Sequence, residues 1–321
     1  MLNENLKCWV VTDGKAGMES QCVGLAERLG LAPTIKRISL RFPWSFLPPQ
    51  LWAKPFLAAG PAGDKFKPPW PDILIATGRQ TVALALAIKK ANPGTFSVQI
   101  QNPTMALNRF DIVIAPQHDQ LVGENVVSTS GALHQVTEQR LKSARKEFSA
   151  EFGDLKKPLI GVLVGGSNQT FRFTDAKVKQ FVALLREVLN NSGGSLIITP
   201  SRRTDPQILK IIKEGLPDVG IKIWDGKGNN PYFGILAHAD ALIVTGDSVN
   251  MISEALATGK PVHIFKLSGG NAKFDRFYKE LEELDKTRPF EGRIEHWQYP
   301  GTDDMTIAAD AIEKAWASYR N

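Results

Sequence analysis

The residues best suited to chemistry stand in one run, Thr245-Gly246-Asp247-Ser248-Val249-Asn250-Met251-Ile252-Ser253-Glu254, directly after the apolar triplet Leu242-Ile243-Val244. Gly246 lets the chain turn sharply after a strand, and Asp247 or Ser248 is of the type that caps a helix. A helix that begins there directs unpaired N–H groups and its positive dipole end outward, a seat for phosphate or diphosphate. Glu254 follows about two helical turns on and offers a carboxylate to ribose or sugar hydroxyls. The same residues also describe a plain capped helix with a solvated glutamate. The local pattern leaves both readings open.

Three further segments of the second half carry polar groups after apolar runs. Gly165-Gly166-Ser167-Asn168 combines two glycines, which admit close backbone approach, with side-chain donors. Ser201-Arg202-Arg203 supplies guanidinium groups of the kind that grip phosphate oxygens in pairs. Asn230 and Tyr232 stand ahead of another helical pattern, where they would border a base or sugar pocket or form a simple turn. In the first half, Asp13-Gly14-Lys15 leads through Gly17 to Gln21 and sets one acid and one cation in a glycine-bearing loop. It lacks the spacing of a nucleotide-binding P-loop. Gly78-Arg79 repeats the arrangement, and His118 stands beside the carboxylate of Asp119. Lone histidines are more often structural than catalytic, and only a strand-end position speaks for His118.

The elements that must position these groups are legible as an alternation. Apolar runs at 8–11, 73–76, 97–100 and 112–114 in the first half, and at 160–164, 196–198, 221–223, 242–244 and 262–265 in the second, read as strands. Their apolarity is continuous, as expected of parallel strands covered on both faces. Helical patterns at 18–29, 80–90, 176–190, 206–214 and 249–258 follow many of them. Strand, loop and helix repeated in this way predict doubly wound α/β architecture, in which ligands bind beyond the carboxyl ends of the strands. A charged stretch at 139–157 reads as a helix and linker between two domains. The expected division is 1–152 and 153–303, with a C-terminal amphipathic helix at 304–321 returning to the first domain.

The chain has 321 residues, 43% of them apolar, and a net charge of +6 spread along its length. Disordered and fibrous classes do not fit this composition, and no dense basic run indicates nucleic acid. The charge suits an anionic small ligand or membrane surface. The two cysteines, Cys8 and Cys22, form no metal-ligand or CxxC pattern, and a reducing, cytoplasmic setting is expected. No run of about 18 apolar residues predicts a membrane span, and the N-terminal residues lack the apolar core of a signal peptide. One segment breaks the rhythm: 41–57, RFPWSFLPPQLWAKPFL, dense in Pro, Trp and Phe. It reads either as a loop whose aromatics plug the first core or as an exposed patch for a membrane surface or partner, with Arg37, Arg41, Lys54, Lys65 and Lys67 suited to anionic headgroups.

Taken together, the stretches TDGKAGMESQCVGLAERLG, ATGRQTVALALAIKK, GVLVGGSNQTFRF, TPSRRT and NPYFGILAHADALIVTGDSVNMISEALATGKPV resemble the bacterial relatives of the plant elongated-mitochondria fission protein. The resemblance implies a GT-B-like fold, two Rossmann-like domains facing across a cleft, and a nucleoside-diphosphate-sugar substrate. The closing stretch is also similar to the donor site of lipid-linked sugar transferases of the peptidoglycan pathway. By that similarity Gly246, Asp247, Ser248 and Asn250 would flank the diphosphate, Glu254 would hold a sugar hydroxyl, and Thr245 and Met251 are counted with them as ligand-binding.

The expected activity is metal-independent glycosyl transfer to an acceptor, a lipid-linked one being the candidate, with no cofactor. Asp13 would be the base and His118 its second candidate, while Lys15, Arg202 and Arg203 stabilise the leaving diphosphate. A non-catalytic scaffold at the inner face of a membrane and a nucleotide-sugar epimerase are the alternatives.

Overall fold

The computed structural model describes residue 2, residues 5–300 and residues 303–320. The chain divides into two compact units, Met1–Gln135 with Asp303–Asn321, and Val136–Thr302.

The first unit is built on six parallel strands: β1 (Cys8–Thr12), β2 (Pro33–Arg37), β3 (Ile73–Thr77), β4 (Phe96–Ile100), β5 (Ile112–Pro116) and β6 (Val126–Thr129). They lie in the order β2-β1-β3-β4-β5-β6. Residues alternate between its faces, as strand geometry requires. Cys8 and Val10 face α1 (Ala16–Arg28), whereas Trp9 and Val11 face α2 (Val82–Ala91) and the 38–70 segment. Both cysteines are buried and free, and burial pushes the Cys8 thiol up to about 12.

The aromatic-proline segment is partly buried and partly exposed. Trp52 is buried, and Trp44, Phe56 and Trp70 pack against the same core. Phe42 and Phe46, at 78% and 81% exposure, point to solvent and meet edge-to-face at 6.3 Å.

In the second unit the sheet comprises β7 (Leu159–Val164), β9 (Ser195–Pro200), β10 (Ile221–Ile223), β11 (Ala241–Thr245), β12 (Val262–Phe265) and β14 (Thr287–Pro289). Its order is β10-β9-β7-β11-β12-β14, all parallel, and a short antiparallel ribbon pairs β8 (Phe171–Arg172) with β13 (Ser268–Gly269). Helices α3 (Glu138–Glu147), α4 (Ser149–Phe152), α5 (Asp175–Ser192), α6 (Pro206–Gly215), α7 (Tyr232–His238), α8 (Val249–Leu256) and α9 (Ala272–Glu283) belong to this unit.

Their termini follow from sequence. Thr174 caps α5 through Lys177 N, and Gly193 ends it in a left-handed conformation that costs glycine little. Asp205 caps α6, which has Pro206 in its first turn, where a missing N–H does no harm. The charged stretch expected as a helix and linker forms helices α3 and α4. Phe148 and Phe152 enter the core of the second unit, so that unit begins at Val136 rather than at 153. The last helix, α10 (Asp304–Arg320), buries Met305, Ala308, Ala309 and Ile312 against the α1 face of the first sheet.

Candidate ligand site at the strand ends of the second unit

Strands β7, β9 and β11 are neighbours, so their carboxyl ends bring 165–168, 201–204 and 245–248 side by side. Asp247 ties them together. Its Oδ1 accepts from the Thr245 hydroxyl at 2.7 Å, and its Oδ2 accepts from Gly166 N at 3.1 Å and from the Arg203 guanidinium at 2.5 Å. The carboxylate side chain has no solvent exposure, while that of Arg203 is 46% exposed. A buried carboxylate is tolerated only when its lone pairs are filled, and here three donors fill them.

The close approach explains the two glycines. A Cβ at Gly165 would strike the Asp247 carboxylate, and one at Gly166 would strike the Arg203 backbone carbonyl. Neutral hydrogen bonds complete the frame. Gly165 N donates to the Thr245 hydroxyl at 2.7 Å, and Asn168 Nδ2 donates to the Asp247 carbonyl at 3.3 Å. Ser201 Oγ accepts from Arg203 N at 3.2 Å.

Ser248, not Asp247, caps α8 by accepting from Met251 N at 3.4 Å. Asp247 therefore shapes the wall on which α8 begins, a role the sequence did not offer for it. Glu254, buried on α8, accepts a hydrogen bond from the Tyr232 hydroxyl at 2.6 Å. Burial, and then the Glu254 charge, push the Tyr232 phenol well above its ordinary 10. Asn230 Oδ1 accepts from Tyr232 N at 3.0 Å and so opens α7. Ser167 is exposed, although its Oγ accepts from Phe173 N at 3.0 Å. Arg202 is exposed and has no side-chain partner among the described residues, which leaves its five donors for a ligand.

Two supports were not singled out from sequence. The Thr204 hydroxyl donates to the carbonyls of Val164 and Gly165, at 2.9 and 2.7 Å. The Tyr278 hydroxyl, from α9, donates to the Gly246 carbonyl. Thr204 stood in a stretch already marked for its arginines. Tyr278 carries no local signal beyond its place on the apolar stripe of α9.

In the first unit, β1 is followed by Asp13, whose carboxylate pairs with Lys15 at 2.5 Å and accepts from Lys15 N at 3.2 Å. Gly14 takes a left-handed turn there. Gly17 lies in the first turn of α1, ahead of Gln21, which is buried. Gln101 Nε2 reaches Gln21 Oε1 at 3.4 Å and Met18 Sδ at 3.3 Å. Gly78, also left-handed, lies against Met18, and Arg79 is exposed. His118 sits on a short turn after β5 with its side chain 1% exposed, 3.7 Å from Asp119 Oδ1. Asp13 and His118 thus differ in access: the side chain of Asp13 is 10% exposed beside an ammonium that is 69% exposed. Among the described residues, no group of three His, Cys, Asp or Glu side chains is arranged to hold a metal ion, and no helix is long and apolar enough to cross a membrane.

Two all-parallel sheets flanked by helices, with the loops gathered at strand ends, define a two-unit GT-B-like α/β protein. The chain belongs to the Mitochondrial fission ELM1 family, whose pattern matches residues 16–316. It is 37% identical to the mitochondrial fission protein ELM1 of Arabidopsis thaliana over 276 residues, covering 77% of this chain and 64% of that protein. The chain thus spans somewhat under two thirds of the length of that relative. Among solved structures it is similar to UDP-GlcNAc 2-epimerase from Neisseria meningitidis bound to UDP-GlcNAc, with TM-score 0.54, 14% identity and coverage of 96% of this chain and 100% of that one. It is also similar to MurG of Acinetobacter baumannii, with TM-score 0.50, 12% identity and coverage of 98% and 94%. At these identities the likeness to solved structures is one of fold.

Proposed function

We propose that the second unit binds a nucleoside-diphosphate sugar at the carboxyl ends of β7, β9 and β11 and that the protein processes it without a metal ion. The observation that carries this reading is the Asp247-centred wall. Three loops are drawn together over glycines with no room for a side chain, beside an unengaged Arg202 and the start of α8. The diphosphate would lie at the α8 N-terminus within reach of Arg202 and Arg203. Glu254, oriented by Tyr232, would accept from a sugar hydroxyl.

Between the two chemistries, rearrangement of the sugar stands ahead of transfer. The epimerase aligns over its whole length at the higher TM-score, whereas the MurG likeness is weaker. Within the first unit Asp13, beside Lys15, is the candidate proton acceptor we favour over the enclosed His118. Calorimetry with UDP-, GDP-, ADP- and CMP-sugars tests the binding, and silence across the panel, with and without acceptors, would sink it. Incubation with the bound nucleotide sugar alone then separates the chemistries. A new sugar epimer without acceptor supports rearrangement, and turnover only with acceptor supports transfer.

A second reading has an observation of its own. Phe42 and Phe46 are exposed, near Arg41 and Lys54, on a segment whose other aromatics anchor it to the first core. That arrangement suits a scaffold that rests on an anionic membrane surface. Flotation with anionic liposomes should fail for the Phe42→Ser, Phe46→Ser double variant and survive Glu254→Ala. Trp44, half-buried with Nε1 donating to Ala53 O at 3.3 Å, is the wrong residue to replace.

A further inference from the structure

The other end of the second sheet holds a pocket of about 460 Å³ lined by Arg145, Lys157, His238, Asp240, Lys260 and His296. Its position is set by the strands: Lys157 lies just before β7, Asp240 just before β11 and Lys260 just before β12. Those strands finish at the Gly165, Asp247 and Lys266 ends, so the pocket and the strand-end site lie at opposite edges of one sheet.

Part of the cationic lining has a structural task. Lys260 Nζ donates to the carbonyls of Leu236 and Ala237, at 2.6 and 2.9 Å, and Arg145 donates to Ala237 O at 2.5 Å. Lys157 Nζ reaches the His238 carbonyl at 3.3 Å. These bonds cap the last turn of α7. The terminus of a helix carries only about half a negative charge, however, far less than three cations bring. Asp240 is the one carboxylate in the lining, and it is already engaged by Lys157 at 2.9 Å and by Leu159 N at 2.7 Å. Arg145 uses one of its donors in this way and keeps the others.

The titrating groups feel their enclosure first and the neighbouring cations after it. Burial, followed by Arg145, lowers the Lys260 ammonium from 10.5 to about 8, with Asp240 opposing and Lys157 adding to the shift. Burial likewise lowers His238, whose ring nitrogen donates to the Arg145 carbonyl at 2.9 Å. Crowded, poorly compensated cations around a cavity wide enough for a small metabolite attract an anion rather than a neutral molecule.

We propose that this pocket binds a small phosphate-bearing dianion, at a site separate from the strand-end site. The guanidinium of Arg145 supplies paired donors, Lys260 and Lys157 supply point charge, and His296 forms the exposed rim.

The test is calorimetric titration of the full chain with inorganic phosphate and with glycerol phosphate, at constant ionic strength and near-neutral pH. Saturable binding is expected. His296→Glu places a negative charge on the rim without touching the α7 cap and should weaken binding about tenfold. Lys260→Met should abolish it, and affinity should fall as pH rises past about 8, where Lys260 loses its proton. Arg202→Ala, at the opposite edge of the sheet, should leave phosphate binding unchanged. No saturable binding would overturn the proposal. So would binding that survives His296→Glu but is lost in Arg202→Ala, a result that would assign the phosphate to the nucleotide-sugar site and leave the reading of that site intact.

Discussion

Replacing Asp247 by Ala removes the acceptor shared by Thr245, Gly166 and Arg203. The Gly166 N–H is buried and would have nothing to replace Oδ2, at about 1–3 kcal/mol for an unsatisfied buried donor. The Thr245 hydroxyl loses one partner but still accepts from Gly165 N, so its share is smaller. Arg203, 46% exposed, can rehydrate and contributes no more than a surface pair, about 0–1 kcal/mol. The sum is about 3 kcal/mol, concentrated in the loops rather than in the sheet. Asp247→Asn, which keeps the volume and one oxygen, should cost about half of that. Urea unfolding followed by tryptophan fluorescence measures the total. Native-state hydrogen exchange measures the local part, because the Gly166 amide should lose protection while the amides of β7 keep theirs. Uridine diphosphate titration measures the consequence for binding, which should weaken in both variants. A stability change below about 0.5 kcal/mol, with Gly166 still protected and nucleotide affinity unaltered, would refute the claim that Asp247 holds the wall together.

Tyr232→Phe deletes the hydrogen bond to Glu254 and should cost about 1.5–3 kcal/mol, the range for bonds to a charged acceptor, seen as a lowered urea midpoint together with weaker binding of the nucleotide sugar. The buried Lys260 makes a prediction about alkaline pH. Its folded value of about 8 lies below the ordinary 10.5, so between these values the unfolded chain holds more protons and stability should rise with pH. The gain is at most about 3 kcal/mol. Lys260→Met should remove the rise, and an unchanged pH profile in that variant would count against it. Tyr232 acts in the opposite sense above its ordinary 10, because its phenol stays protonated in the folded chain but ionises on unfolding. Stability should therefore turn downward at the alkaline end.

The interior of the fold was readable because interior parallel strands are apolar on both faces. Ile73 to Ala76 and Leu159 to Val164 are buried without interruption, and such runs announce themselves. Of the strands without a clear sequence signal, β2, β6 and β14 lie at the edges of the two large sheets, and β8 and β13 form the short two-stranded ribbon. In β2, Pro33-Thr34-Ile35-Lys36-Arg37 is nowhere fully buried, so it carries neither a continuous nor an alternating apolar signal. The helix expected at 139–157 is present as α3, whereas its attachment to the second unit was not legible, for a related reason. The sequence of α3 and α4 is mostly charged, and the few residues that bind them to the second unit, Phe148 and Phe152 above all, are too sparse to register as an amphipathic face.

The site was legible as a set of residue types, but not as an arrangement. Asp247 and Arg203 are 44 positions apart, and only the order β9-β7-β11 brings their loops together. From sequence, Asp247 was either a helix cap or a neighbour of the diphosphate. Geometry shows Ser248 in the first of those roles and turns the Asp247 carboxylate toward Gly166 and Arg203. A carboxylate at that position would repel a diphosphate if it were unpaired. Paired, its charge is largely cancelled by Arg203, and the adjacent residue in the chain, Arg202, is exposed and adds a further positive charge to that loop. The acid in the proposed phosphate loop is therefore the residue that holds Arg203 and the two glycines in place.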